Sequence, residues 1–443
     1  MANLQDIAVF FCQNFPAPLM ITSYCIDSRL IEKGGLFFAL SGQKTDAHMY
    51  LEDVFNKGAV AAVVSNKYTG PSYGLVLIYV EDVLVALQSL AKHQLKNRRS
   101  RVIGITGSLG KTTTKEFTKT LLQKKYNVAA NPRSYNSQAT LPLVILNSDP
   151  EADILLLEMG MTNKGELANL VNIAPPEVAL ITLIGITHVG FFPDGLDGIA
   201  NAKTEIFSHD CTKLGLYSLD SPCQEKMKTT GKCQKMTFSM VDPSADFHLR
   251  QEGKILHLYE KGVYFGKAHW PFQTDHLIPN FLNAFALARI FDVSKEDIEE
   301  ASQELKLVDL RLQQMEKNGI VFINDAFNAI TASIKGALVS LPQPKGAGRK
   351  IAVLGAMPDL GSYSDDEHRE VGLFALDKVE KLLLLGKECL PIVDVWKEAG
   401  KEAIYYECKE KLVADLKALL IPGDVVLLKG ARRLSIDQVF EML

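Results

Sequence analysis

At 443 residues the chain has the length of about three domains. Its 47% hydrophobic against 23% charged residues can give each a buried core, which excludes disordered and fibrous architectures, and a net charge of −4 without long runs of one sign speaks against nucleic acid as a partner. Seven cysteines with no C-x-x-C pair, no Lys or Arg before Arg29, and a longest uncharged apolar stretch (178–193) broken by His188 point to a cytoplasmic protein with free thiols, no secretory leader and no membrane insertion.

The first hundred residues alternate short apolar runs with helical patterns. Runs at 36–40 (LFFAL), 60–64 (VAAVV) and 75–80 (LVLIYV) read as buried strands. The segment 81–97 places Val83, Leu84, Leu87, Leu90, Ala91 and Leu95 on one face of a helix. The basic, polar NRRSR at 97–101 marks a boundary. A strand at 101–106, a turn at 107–110 and a helix at 111–124 open a second unit, followed by strands at 153–158 and 178–183 with a helical pattern at 164–172 between them. Strands alternating with helices imply a parallel sheet covered on both faces. From 233 to 270 the texture changes to short alternating segments, which suggests a small antiparallel patch; 279–291 and 294–305 then read as helices. A third α/β series has strands at 320–324, 350–354, 381–385, 403–406 and 424–429, amphipathic helices between them, and a loop at 341–350. The expected fold is α/β throughout, in three domains at 1–98, 99–310 and 311–443.

The strongest chemical signal is Thr106-Gly107-Ser108-Leu109-Gly110-Lys111-Thr112-Thr113, which follows an apolar strand and opens a helix. That is the context of a phosphate-binding loop. Glycines let backbone N–H groups converge on phosphate oxygens, and a helix N-terminus adds partial positive charge. Lys111 would reach the β- and γ-phosphates of a nucleotide and the Thr112 hydroxyl would face Mg²⁺. The general pattern asks for a glycine five residues before Gly110, where this chain has Ile105. Asp153-Ile-Leu-Leu-Leu-Glu158 is an apolar strand ending in a carboxylate. Taken alone such a glutamate is a surface residue; beside a phosphate loop, the tip of a neighbouring strand is where a metal ligand belongs. Composition and spacing promote neither His188 nor Lys203 above a core histidine and a solvated lysine. No G-x-S-x-G, H-E-x-x-H or kinase signature occurs, so hydrolase, zincin and kinase chemistries are not expected.

A longer set of motifs resembles the Mur ligase family. It comprises Asp27-Ser28-Arg29, KGGLFFALSG at 33–42, Asp46-Ala-His48, TGSLGKTTTKE at 106–116, NPRSYNSQATLPL at 131–143, LEMGM at 157–161, THVGFF at 187–192 and NAKTEIF at 201–207, then NDAFNA at 324–329, VLGAMPDLG at 353–361 and LKGARR at 428–433. Order and spacing cover nearly the whole chain, and the NSQ-x-x-LPL, NAKTEIF and DAFNA stretches are most similar to the branch that adds a dipeptide. The resemblance implies an N-terminal UDP-binding domain, a central ATPase domain and a C-terminal Rossmann-like domain, in a monomer. It implies that ATP phosphorylates the carboxylate of UDP-N-acetylmuramoyl-tripeptide and that the amine of D-alanyl-D-alanine displaces the phosphate, a step in peptidoglycan precursor synthesis.

The same resemblance implies the site residues. Gly107, Ser108, Gly110, Lys111, Thr112 and Thr113 would hold the phosphates, and Thr112 and Glu158 a first Mg²⁺. His188 and Lys203 would serve a second, Lys203 as its carbamate (N-carboxylysine); with Lys111 they form the implied catalytic set. Asn280 and Asn283 resemble the family's H-N-x-x-N helix start near adenine, and Arg311, Asp325 and Asn328 would face ATP from the C-terminal side. Ser28, Arg29 and His48 fall in the UDP-side motifs; Ser134, Asn136 and Ser137 would face the muramoyl-peptide. Pro279 replaces the usual His before Asn280, Ile330 and Thr331 stand where Asn-Pro often continues, and Ala356 replaces an acid. Alternatives are the tripeptide-forming Mur ligase, a folylpolyglutamate synthetase, which the motifs at 27–48 disfavour, and a phosphate-loop protein that binds nucleotide without ligating, which has no use for a second metal site.

Overall fold

The computed structural model describes residues 2–13, 19–42 and 45–443. Its three domains each form around a mainly parallel sheet. In the N-terminal domain Tyr24–Cys25, Leu36–Phe38, Ala61–Ser65 and Val76–Val80 pair in chain order, all parallel. Leu36, Phe37 and Phe38 are all buried, because helices and loops cover both faces of the sheet and no position can be left polar. The helix Val83–Lys96 packs on this sheet, and the Asp82 carboxylate caps it by accepting from the Leu84 and Val85 N–H groups, worth about 1 kcal/mol. Asn147 of the central domain docks the N-terminal sheet: its side-chain amide accepts from Tyr24 N–H and donates to Tyr24 C=O, both at 2.9 Å, in place of a neighbouring strand.

The central sheet has nine strands. Its spatial order is Val263–His269, Ile255–Glu260, Phe247–Glu252, Gln234–Ser239, Leu214–Ser218, Val178–Ile181, Arg101–Thr106, Ile154–Glu158 and Val128–Ala130. The expected antiparallel patch is smaller than its sequence texture suggests and is continuous with the main sheet. Gln234–Ser239 runs parallel to Leu214–Ser218, and antiparallel pairing begins only with Phe247–Glu252 against Ile255–Glu260. At the join, the Asp246 carboxylate accepts from the Thr237 N–H (2.8 Å) and hydroxyl (3.0 Å), supplying an acceptor where the ladder is interrupted. The chain leaves Arg101–Thr106 for Val128–Ala130 on one side and, after Ile154–Glu158, crosses to Val178–Ile181 on the other. The carboxyl end of Arg101–Thr106 is therefore the topological switch point, where open α/β sheets form a ligand crevice.

The C-terminal sheet is ordered Gln313–Lys317, Ile320–Asn324, Val425–Lys429, Lys350–Gly355, Lys381–Leu385 and Ala403–Tyr406, parallel except for the first hairpin. This order sets the first parallel strand beside the last, so Asp325 and Lys429 meet although 104 residues separate them. Among the described residues all seven cysteines are free and no helix is long and apolar enough to cross a membrane.

Candidate active site

The phosphate loop is built by two glycines at which any side chain would be strained. Gly107 (φ 146°) and Gly110 (φ 78°) both lie in the left-handed half of backbone space. A Cβ on the first would overlap the Thr182 hydroxyl, and on the second the Asn280 side-chain oxygen. Gly110 precedes the helix Lys111–Leu122, whose Phe117, Leu121 and Leu122 are buried, so the helix start is anchored by its own core face. Ser108 holds the loop down: its N–H donates to Leu183 C=O (2.7 Å) and its hydroxyl to Gly185 C=O (2.8 Å). Two lysines converge on one carbonyl, with Lys111 Nζ 2.6 Å and Lys203 Nζ 3.0 Å from the Gly107 oxygen. Lys203 is only 2% exposed. Burial holds its ammonium well below the ordinary lysine value, and the Lys111 charge adds to this. Burial lowers Lys111 in the same direction, against the pull of Glu158.

Glu158 ends its strand 1% exposed. A carboxylate so placed needs partners. Its Oε2 accepts from Thr112 Oγ1 (2.8 Å) and its Oε1 from Asn136 Nδ2 (2.5 Å), both neutral donors. Ser134 Oγ lies 3.2 Å from Thr112 Oγ1, which joins the Ser134–Asn136 segment to the loop. The main chain of Glu158 is held by Asn131, whose Oδ1 accepts from Glu158 N–H (2.7 Å) and whose Nδ2 donates to Glu158 C=O (3.0 Å). Asn131 directly follows Val128–Ala130, so its amide extends the ladder one step after the strand itself ends. Lys115, fully buried, donates to the carbonyls of Asn131 (2.5 Å) and Arg133 (2.8 Å) and fixes the same segment from below. Asn131→Ala is expected to leave two buried backbone groups of Glu158 unpaired, costing about 2–3 kcal/mol. Urea unfolding measures that loss; a midpoint equal to the wild type's would contradict it.

Two cavities of about 420 Å³ each meet at Gly110 and Arg311, one on either side of the loop. The apolar one is lined by Leu183, Phe238, Met240, Leu277, Pro279 and Asn283 among others. The polar one is lined by Lys111, Thr112, Ser134, Asn136, Ser137, Glu158, His188, Lys203 and Asn328. Asn280 and Thr113 line the apolar lobe; Asn280 Oδ1 accepts from Thr114 Oγ1 at 3.3 Å, and Asn283 Nδ2 donates to the same hydroxyl. The Asn283 side-chain oxygen is buried without a partner. Pro279, the departure from the usual histidine, sits in the first turn of Ile278–Ile290, where a missing N–H costs nothing.

The C-terminal domain closes both lobes. Arg311 Nη2 donates to Thr112 Oγ1 (3.4 Å), and its guanidinium lies 4.4 Å from the centre of the Phe327 ring. Asp325 lines the apolar lobe and Asn328 the polar one. His188 (φ 55°) places Nδ1 3.0 Å from Asp359 Oδ2 across the domain seam. Burial lowers the His188 imidazolium, and Asp359 opposes that shift.

Ser28, Arg29 and His48 stand apart from these lobes. Arg29 pairs with its own neighbour Asp27 (2.6 Å), and Ser28 C=O accepts from Lys57. His48 Nε2 accepts from Ser65 N–H (3.0 Å), so its Nδ1 carries the proton toward Asp46 (2.6 Å) and the ring ties the 46–48 turn to its sheet. A third cavity, of about 770 Å³, runs between the N-terminal and central domains past Asp27, Leu30 and Tyr135. Sequence reasoning did not single out Asn131 as a support of Glu158, Asp359 as the partner of His188, or His276 and Lys429 as residues lining the apolar lobe. Asn131, Asp359 and Lys429 fall inside motifs of the resemblance, but their partners lie far along the chain, so the motifs by themselves say nothing of what they touch.

A phosphate loop at a switch point, with two lysines and an arginine around it and a second α/β domain walling it, defines the class: a nucleotide-dependent enzyme working at a domain seam. Residues 105–288 match the Mur ligase middle domain and residues 310–432 the Mur ligase glutamate ligase domain. The chain is 31% identical to the UDP-N-acetylmuramoyl-tripeptide–D-alanyl-D-alanine ligase of Bacillus subtilis, over 96% of this chain and 93% of that one. It is similar to the crystal structure of the MurF ligase of Thermotoga maritima in complex with ADP, with a TM-score of 0.78 and 27% identity over 96% of this chain and 97% of that one. It shares its fold with MurF from Acinetobacter baumannii (TM-score 0.83, 24% identity, 99% and 97% coverage). The chain belongs to the Mur ligase family, in the branch of the UDP-N-acetylmuramoyl-tripeptide–D-alanyl-D-alanine ligases.

Proposed function

We propose that the protein joins D-alanyl-D-alanine to UDP-N-acetylmuramoyl-tripeptide at the expense of ATP, as the two lobes around the phosphate loop support best. The apolar lobe suits a nucleoside and the polar lobe suits the phosphoryl group and the two reacting ends. The tripeptide carboxylate attacks the γ-phosphorus, ADP leaves, and an acyl phosphate forms. The dipeptide amine then adds to that carbonyl, and collapse of the tetrahedral adduct expels inorganic phosphate and leaves an amide. A carboxylate is a poor electrophile, and phosphorylation supplies its leaving group. Charge builds on the β/γ oxygens during transfer, and the cations Lys111 and Arg311 are already desolvated beside that position.

Thr112 and Glu158 fit a Mg²⁺ ion: both present hard oxygens, and the buried carboxylate meets only neutral donors among the described residues. His188 and Lys203 would serve a second. Lys203 fits that role only as its carbamate, and its buried amine, held low and bonded to a carbonyl, is the form that reacts with CO₂. When bound, the ions supply charge neutralisation across the phosphates. Gly107, Gly110 and Thr113 shape the phosphate cradle, with Ser108 holding it to the 183–185 segment. Asn280 and Asn283 face the base, and Arg311, Asp325 and Asn328 close over the nucleotide. Ser134, Asn136 and Ser137 face the muramoyl-peptide. The UDP end is placed on the N-terminal domain near Ser28 and Arg29, with His48 shaping that surface. We divide these tasks among residues 1–98, 99–310 and 311–443, in a cytoplasmic monomer.

The test is release of ADP that requires both the UDP-linked tripeptide and D-alanyl-D-alanine. Replacing the dipeptide by L-lysine or diaminopimelate is expected to abolish turnover. Robust activity with a free amino acid would move the protein to the tripeptide-forming branch.

A further inference from the structure

We propose that Lys429 is a positioning residue for the nucleotide: its ammonium holds the turn 325–328, and through that turn Arg311, in the shape that closes the site. Lys429 ends the buried strand Val425–Lys429 and is itself 2% exposed. It donates to Asp325 Oδ2 (2.5 Å), to Asn328 C=O (3.0 Å) and to Asp325 C=O (3.4 Å). All three protons of the ammonium therefore go to acceptors within one four-residue turn. That turn delivers Asp325 to the apolar lobe and Phe327 and Asn328 to the polar lobe. The Phe327 ring supports the Arg311 guanidinium at 4.4 Å, and Arg311 in turn donates to Thr112. The contacts run without a gap from Lys429 to the phosphate loop of the neighbouring domain.

A purely structural strand end at this depth would be better served by leucine or methionine, which carry no desolvation cost. What the ion adds is direction, since it fixes both the carboxylate and two carbonyls of a turn that otherwise has few ties. The turn's other polar anchors among the described residues are the Asp325 N–H donating to Leu428 C=O (2.8 Å) and the side-chain oxygens of Asn324 and Asn328, which accept from the Ala326 and Ala329 N–H groups. A preformed wall lowers the ordering cost of nucleotide binding, so its loss falls on nucleotide affinity.

The experiment uses full-length enzyme with Lys429→Met, which keeps the bulk of the side chain and removes the charge, and Lys429→Gln, which retains a donor. Two quantities are read: the KM values for ATP and for the UDP-linked tripeptide, and the Kd of a fluorescent ADP analogue. For the methionine variant the ATP KM and the ADP-analogue Kd are expected to rise at least tenfold, with the UDP-substrate KM within twofold of wild type. The glutamine variant is expected to lie between. ATP KM and Kd within twofold of wild type in both variants overturn the proposal, as does an equal rise in both KM values or a lowered Tm with unchanged KM. Loss of folded protein in both variants also overturns it, because the pair then serves the fold alone. The inference rests on the ligase reading, but the ADP titration needs no turnover. It decides on Lys429 even where the wild-type protein ligates nothing, a result that would overturn the ligase reading instead.

Discussion

Lys111→Ala is expected to lower kcat by about 10²-fold or more, the equivalent of roughly 3 kcal/mol of lost transition-state stabilisation. The reason lies in how the side chain is held. Its ammonium sits 2.6 Å from Gly107 C=O at the mouth of the phosphate loop, beside Lys203 and within reach of the Arg311 charge. Among the described residues Glu158 offsets Lys111, and Asp325 and Glu158 offset Arg311, while Lys203 meets only the Lys111 charge, an arrangement suited to a polyphosphate. Removing one of them takes away charge aimed at the transferred phosphoryl group. It also relieves repulsion in the empty site, so the Tm without nucleotide is expected to stay at or slightly above that of the wild type. Steady-state ADP release and thermal unfolding measure the two effects separately. Near-wild-type turnover would sink the phosphate-loop reading, and a collapse of Tm would show that the lysine serves the fold.

Lys203→Ala is expected to lose most activity, and Lys203→Arg to fare no better. An ordinary buried lysine would tolerate arginine as a substitute for charge. A carbamate would not, since arginine carries no amine that can bond CO₂. The environment favours the neutral amine. Lys203 is 2% exposed, its partner is a carbonyl oxygen, and the nearest charge raised against it is Lys111. A neutral amine attacks the carbon of CO₂, loses a proton, and becomes an anion with two oxygens at the end of the same side chain. That exchange turns a repelling group into hard-oxygen donors for a divalent cation. Acetate or formate added to the alanine variant is expected to restore part of the rate by filling the vacated volume with a carboxylate. Full activity of Lys203→Arg in CO₂-depleted buffer, or a mass spectrum of active enzyme showing only unmodified lysine, would falsify the carbamate.

The phosphate loop was legible because its chemistry is local. A strand, two glycines, a lysine and a helix start lie within a dozen residues, and backbone sterics at Gly107 and Gly110 restrict what can stand there. The strand Ile154–Glu158 was legible as a continuous apolar run, and its terminal acid became meaningful only beside that loop. The helices at 83–96 and 278–290 follow from their apolar faces and starts, with bounds within two or three residues of those expected. The texture at 233–270 was right for the three antiparallel strands from 247 to 269 and misled only at Gln234–Ser239, which pairs in parallel, because alternation reports which face is buried and says nothing of whether the neighbouring strand runs parallel.

By itself, then, the sequence determined the α/β class, the three-part organisation and the phosphate loop, since these follow from periodicity and from backbone restrictions acting over a few residues. The tertiary structure alone decided which distant groups complete the site. Asn131 on the Glu158 backbone, Asp359 on His188 and Lys429 on the 325–328 turn each lie within a motif of the resemblance, but only the fold shows which group each one holds. Their roles arise from strand order, which sets the last strand of the C-terminal sheet beside its first parallel one, and from the packing of two domains across a seam. Burial then makes each contact matter, because a polar group removed from water must find its partner within about 3 Å or leave its desolvation uncompensated.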